Sequence, residues 1–217
     1  MNKGYKLLGW FLLFIFLSCL GLSGRTPALA AAASVIDFKD DFSDGDYTAN
    51  PVWTVTSGTW KIVPDPTGSG NKALNQTDTG EGIITAGDST WTDSTVSMRF
   101  YTGAGGAYPG ILARVQDSKN FYYFQMQATG TLVLSKRING ADTVIKSLSY
   151  PLNKNTWYQL KMALVGSSIR CYVSKNGVDE LIFDAADTTY TSGKIGIRNK
   201  WQAVYADDVI VNDAPAT

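Results

Sequence analysis

The chain has 217 residues, nineteen basic and nineteen acidic, two cysteines and no histidine. The missing histidine excludes a Ser-His-Asp triad, a Cys-His pair, a histidine-ligated zinc and the commonest general base in one observation. If residues 1–30 are removed as read below, Lys3, Lys6 and Arg25 go with them. The remaining net charge of about −3 then argues against bulk attraction to nucleic acid.

The chain opens with Lys3 and Lys6, a long apolar run "LLGWFLLFIFLSCLGL", and "ALA" at 28–30. This order of basic start, apolar stretch and small-residue cleavage site reads as an export signal, so the mature protein is expected to be secreted and to begin near Ala31. An uncleaved membrane anchor and lipid attachment at Cys19 are the alternatives; Phe16 and Leu17 fit a lipoprotein cleavage box poorly. Residues 31–217 contain no other stretch apolar enough to span a membrane. Cys171 shares strand parity with Ile169 and Val173 and is expected to be a buried, inert thiol.

From Asp37 onward the sequence alternates in short runs separated by Gly, Asn, Asp and Pro, with no long amphipathic helix pattern. Expected strands are 60–63, 94–102, 110–116, 121–127, 131–137, 143–149, 157–165, 168–175, 180–185, 194–199 and 203–212. Asn139-Gly140 and Asn176-Gly177 fall between such runs, where their tolerance of positive φ suits tight hairpins. The glycine-rich "GAGGAYPG" at 103–110 precedes no helix pattern and so reads as a connection rather than a phosphate cradle. "NQT" at 75–77 matches a glycosylation acceptor too common by chance to carry weight. With no repeat and no evident linker, residues 31–217 read as one all-β domain, a two-sheet antiparallel sandwich.

Period-two parity sorts the side chains in four of these strands. Val96, Met98, Phe100, Ile111, Ala113, Val115, Tyr122, Phe124, Met126, Ile195 and Ile197 point to the core. Arg99, Tyr101, Arg114, Tyr123, Gln125, Lys194 and Arg198 point outward, with Gly196 leaving bare backbone. If the four strands share a sheet, the outward residues form one face able to hold a polysaccharide. Tyr123 would then stack on a sugar ring, Gln125 would hydrogen-bond hydroxyls, and Arg99, Arg114 and Arg198 would contact carboxylates. Ordinary solvated residues would give the same pattern. Trp201, in a short connection, is either a rim residue stacking on ligand or a ring folded back over the core. Trp53, Trp60 and Trp157 read as core.

The pieces "FKDDFSDGD", "WTVTSGTWKIV", "GILARVQDSKNFYYFQM", "LNKNTWYQLKMALVG", "SGKIGIR" and "VYADDVIV" occur in this order across nearly the whole mature chain. Together they resemble the laminin-G-like, concanavalin-A-like jelly-roll modules of secreted bacterial polysaccharide-degrading proteins, including modules attached to pectate lyases. The resemblance implies a jelly roll and a structural calcium where the first and last strands meet, on Asp41 and Asp207 helped by unassigned backbone carbonyls, with Asp40 and Asp208 as adjacent candidates. The glycosidase motif "ExDxxE" of this fold is not matched; "VDELIFDAAD" at 178–187 is the nearest acidic run. The expected function is therefore a non-catalytic carbohydrate-binding module for a polysaccharide, with uronates favoured by the arginines. The alternative is a polysaccharide lyase, with Arg99 or Arg114 neutralising the uronate and Tyr101 or Tyr123 as base and acid. A hydrolase of modified disaccharides is supported by the fold alone.

Overall fold

The computed structural model describes Met1 and residues 35–103 and 105–215, so the expected signal segment and Cys19 lie outside the described residues. In chain order the strands are β1 (Asp37–Asp40), β2 (Thr54–Ser57), β3 (Trp60–Pro64), β4 (Lys72–Gln76) and β5 (Gly82–Ala86). Then follow β6 (Ser94–Tyr101), β7 (Gly110–Asp117), β8 (Asn120–Gln127), β9 (Thr131–Ile138) and β10 (Ala141–Ser149). The last five are β11 (Trp157–Val165), β12 (Ser168–Lys175), β13 (Val178–Ala186), β14 (Lys194–Asn199) and β15 (Val204–Asp213). β1, β2, β4 and β5 are additions to the sequence reading. They are four or five residues long, too short for alternation to stand out.

All pairings are antiparallel and fall into two sheets. The eight-stranded sheet runs β13-β12-β11-β6-β15-β4-β3, with β1 also paired to β15; the seven-stranded sheet runs β10-β9-β8-β7-β14-β5-β2. The protein is thus the expected all-β, two-sheet jelly-roll sandwich, with no helix among the described residues and so none able to cross a membrane. Val96, Met98 and Phe100 of one sheet meet Ile111, Tyr122, Phe124, Met126, Ile195 and Ile197 of the other in a single buried core. Phe124 also packs edge-to-face on Phe183, at 5.9 Å between ring centroids. Cys171 is buried in this core and unpaired, and burial pushes its thiol pKa up.

The two expected hairpins form. Asn139 and Gly140 take φ values of 51° and 87°, and Asn176 and Gly177 take 53° and 78°, the positive values that match a tight turn to strand twist. Both β9–β10 and β12–β13 therefore return directly along their partners.

Parity fails in three places. β6 lies in the eight-stranded sheet while β7, β8 and β14 lie in the seven-stranded one, so Arg99 and Tyr101 occupy a different face from Tyr123, Gln125 and Arg198. A bulge between Ala113 and Asp117 gives Arg114 a φ of 48° and shifts the following residue, so Val115 joins the outer cluster of Ile83, Leu112, Phe121 and Tyr123. Trp157 is half-buried rather than core, because it pairs directly with outward-facing Tyr101 and carries the Arg99 guanidinium 4.8 Å above its ring.

Candidate functional site

The outer face of the seven-stranded sheet is built in layers. Register sets Phe121 opposite Arg137 and Tyr123 between Leu112 and Ser135, so the rings sit on the sheet. Arg137 stands 5.1 Å from the Phe121 ring and Arg198 4.4 Å from that of Tyr123. Arg198 belongs to β14 and Tyr123 to β8, with β7 between them. The guanidinium crosses β7 where Gly110, directly opposite Arg198, presents no side chain.

Two carboxylates close the layer. Arg137 donates through Nη1 and Nη2 to Glu81 at 3.0 and 2.9 Å, and through Nε and Nη2 to Asp142 at 2.7 and 3.0 Å. Arg198 donates to Glu81 from Nε at 2.6 Å, to Asp142 at 3.2 Å and to Gln125 at 3.4 Å. Lys200 Nζ adds a third cation 3.5 Å from Glu81. Asp142 reaches its place because the Asn139-Gly140 hairpin sets it directly across from Arg137. The arginines are nearly fully buried, whereas Glu81 and Asp142 keep 28% and 32% of their side chains exposed. The carboxylates thus form the solvent-facing surface of the cluster.

Burial alone would raise the pKa of Glu81. Hydrogen bonds from Arg137 and Arg198, together with their charges, outweigh it and hold the carboxyl at about 2. Asp142 is lowered against its own burial in the same way by Arg137, Arg198 and Lys200. Both groups are fixed hydrogen-bond acceptors at neutral pH.

Beside this cluster Trp201 is 59% exposed, with φ at 78°, and its ring meets Tyr108 edge-on at 6.4 Å. A recess of about 130 Å³ lies between Trp201, Lys200, Glu81, Gly80 and Thr79. Trp201 therefore stands on the rim and does not fold over the core. Gln125 is buried beneath the same cluster and donates to the Tyr108 carbonyl oxygen.

The other expected binding residues are placed elsewhere or are already engaged. Tyr123 lies under Arg198 and offers no open ring. Arg114 donates to the carbonyls of Thr92, Gly166 and Tyr190, tying three connections together at the bulge. On the opposite sheet Arg99 donates to Asp207 at 2.9 Å and lies 2.6 Å from an Asp208 oxygen. Tyr101 packs there between Trp157 and Tyr205. Sequence reading missed Glu81, Arg137, Asp142, Lys200 and Tyr108. Arg137 had the right parity and Asp142 followed a hairpin signal, but nothing local marks Glu81.

The residues that the resemblance implied for calcium divide between two environments. Asp41 accepts a hydrogen bond from Ser43 N–H in an exposed turn and lines a groove of about 420 Å³ with Asp40, Asp44 and Asp208. Asp207 is fully buried with both oxygens engaged, one by Arg99 and one by Asp208 N–H. Among the described residues no three acidic groups draw close enough to hold one ion. Asp207 is therefore taken up by the protein itself, while Asp41 shares its groove with the adjacent candidates Asp40 and Asp208.

The chain is 28% identical over 152 residues to a levanase of Bacillus subtilis, a match covering 70% of this chain and 21% of the levanase. It thus spans about a fifth of the length of that curated relative. Its fold is similar to a carbohydrate-binding module, CBM66, from Bacillus subtilis, with a TM-score of 0.63 at 24% identity over 74% of this chain and 95% of the module. It is also similar to a β-glucanase of Bacillus licheniformis, with a TM-score of 0.58 at 15% identity over 83% of this chain and 98% of that one. No family model matches the chain. These structural likenesses place the chain in the class of jelly-roll sandwiches and concern fold alone. The likeness to CBM66 is a likeness to a carbohydrate-binding module and is not specific to modules attached to pectate lyases.

Proposed function

We propose that this chain is a secreted, non-catalytic carbohydrate-binding module that holds a neutral polysaccharide at the cluster of Glu81, Asp142, Arg137 and Arg198, with Trp201 as its stacking wall. One observation carries this reading. Two ionised carboxylates, each oriented by the same two arginines, stand beside an exposed tryptophan and a recess. Such a surface accepts hydrogen bonds from sugar hydroxyls, while Lys200 donates and the indole covers a ring's C–H face. The acceptors are fixed before the ligand arrives, so little ordering cost falls on binding.

The neutral ligand follows from charge. The expectation of an acidic polymer rested on three outward arginines, yet Arg198 is paired with Glu81 and Asp142, Arg99 with two aspartates, and Arg114 with backbone carbonyls. The lyase alternative weakens for the same reason, because neither Arg99 nor Arg114 has a free guanidinium for a uronate. A glycosidase needs one carboxyl kept protonated as the acid, whereas Glu81 and Asp142 are both lowered. The levanase relative and the CBM66 likeness support carbohydrate as the ligand class, and levan is the first polymer to try.

Calorimetric titration of residues 31–217 with levan, and with pectate as the acidic control, tests this. Wild type should bind the neutral polymer more tightly than pectate, without generating the ultraviolet absorbance of unsaturated uronate ends. Glu81→Gln and Trp201→Ala should each weaken binding about tenfold or more. Variants that bind like wild type would remove the cluster from the site.

A further inference from the structure

A second groove lies on the sandwich where the connection after β10 passes β11 and β12. It has a volume of about 520 Å³ and is lined by Tyr150, Asn153, Thr156, Trp157, Tyr158, Ser174 and Asn176, with Pro151 and Val173. None of these side chains carries a charge. Three aromatic side chains share its wall with amides and hydroxyls, the composition that suits a sugar's apolar ring faces and polar edges together.

Its parts are held in place before any ligand is present. The Tyr158 hydroxyl accepts a hydrogen bond from Asn153 N–H at 2.7 Å, and the Tyr150 hydroxyl donates to Glu180 at 3.2 Å. Thr102 Oγ1 donates to the Asn153 carbonyl at 2.9 Å and pins the connection to the end of β6. Trp157 Nε1 is a buried donor with no partner, a group whose unmade hydrogen bond is costly. The Trp157 ring continues into Tyr101 at 5.5 Å and Tyr205 at 6.0 Å from Tyr101, an aromatic strip across the end of the eight-stranded sheet.

We propose that this groove is a second sugar-binding site, taking one or two residues of a neutral polysaccharide. It shares no residue with the Glu81 cluster and does not rest on the reading of that cluster. Its volume and uncharged, ring-rich lining favour a neutral glycan over an anionic one, for which it offers no cation among the side chains that line it.

The test follows the indole N–H resonance of Trp157, assigned by Trp157→Phe, in nitrogen-15-labelled residues 31–217. The probes are oligosaccharides prepared from levan, arabinan, xylan and mixed-linkage β-glucan. At least one should move this resonance together with the backbone signals of Tyr150 and Asn176, and the movement should persist in Trp201→Ala, which alters the first site at an exposed side chain. Tyr150→Ala should weaken that response about tenfold. Should Tyr150→Ala fail to fold, Asn153→Ala serves instead, since the hydrogen bonds holding Asn153 use its backbone. Resonances unmoved by all four probes would overturn the proposal, as would a response lost with Trp201. Self-association abolished by Tyr150→Ala would also overturn it, by showing that the groove seats a second copy.

Discussion

The outer faces of the two sheets carry similar residues and end in different states. On the seven-stranded sheet Phe121 and Tyr123 lie beneath Arg137 and Arg198, which in turn lie beneath Glu81 and Asp142. On the eight-stranded sheet Tyr101, Trp157 and Tyr205 stay half exposed, and Arg99 is the cation stacked on the strip. The first face is covered because a connection delivers Glu81 from before β5 and a hairpin delivers Asp142 from β10. Outward parity therefore defines which way a side chain leaves the sheet, while the overlying chain decides whether it meets solvent.

The largest expected effect falls on the covered face. Arg198→Ala leaves Glu81 and Asp142 with one fewer cation and uncovers Tyr123, and should destabilise the fold by about 2–3 kcal/mol, the scale of charge-assisted hydrogen bonds. Urea unfolding measures it, and a loss below about 1 kcal/mol would show that the two faces do not differ in this respect.

Gly110→Ala probes the same layer from below. A Cβ there would lie 2.6 Å from the Phe124 carbonyl oxygen, so β7 and β8 must separate, at about 1–3 kcal/mol. Arg198 should also lose its place over Tyr123, which a fluorescence or chemical-shift change at that ring would report.

Acidification separates the faces by charge. Glu81 titrates at about 2 in the folded protein against an ordinary value of 4.5, so its contribution is complete above 4.5 and is lost as pH falls toward 2. The difference in melting temperature between wild type and Glu81→Gln should stay constant down to that upper value and close below it. A gap that opens instead on acidification would reverse the assignment.

The smallest effect is expected on the open face. Lys161 and Asp179 are 2.6 Å apart but each about a third exposed, so Lys161→Ala should change stability by less than about 1 kcal/mol. Denaturant midpoints of the two proteins should nearly coincide.

Much of the scaffold was legible because its determinants are local. Alternation in β6, β11 and β12 marks strands with one buried face, and the Asn-Gly pairs mark hairpins through their positive φ. Cys171 was placed in the core by parity alone. The short strands and the bulge at Arg114 were not legible, since four residues give no period and a bulge is fixed by what the neighbouring strands require. Trp157 was misread because its apolar context is the same whether its ring faces the core or an aromatic strip.

The candidate site lay further beyond the sequence. Arg198, Gln125 and Trp201 could be singled out from parity and context, but their common neighbour Glu81 is 117 positions from Arg198 and sits in a turn without pattern. By itself the sequence determined an all-β sandwich, the absence of histidine chemistry, the core-facing set of most long strands and the two tight hairpins, because each depends on neighbours along the chain. Only the tertiary structure decided that β6 leaves the sheet of β7, β8 and β14, that Arg99 and Arg114 are engaged by the protein itself, and that Glu81 and Asp142 meet over Arg137 and Arg198. Those outcomes depend on strand order and on charges brought together across the fold, where burial and pairing energies act between residues that no local pattern connects.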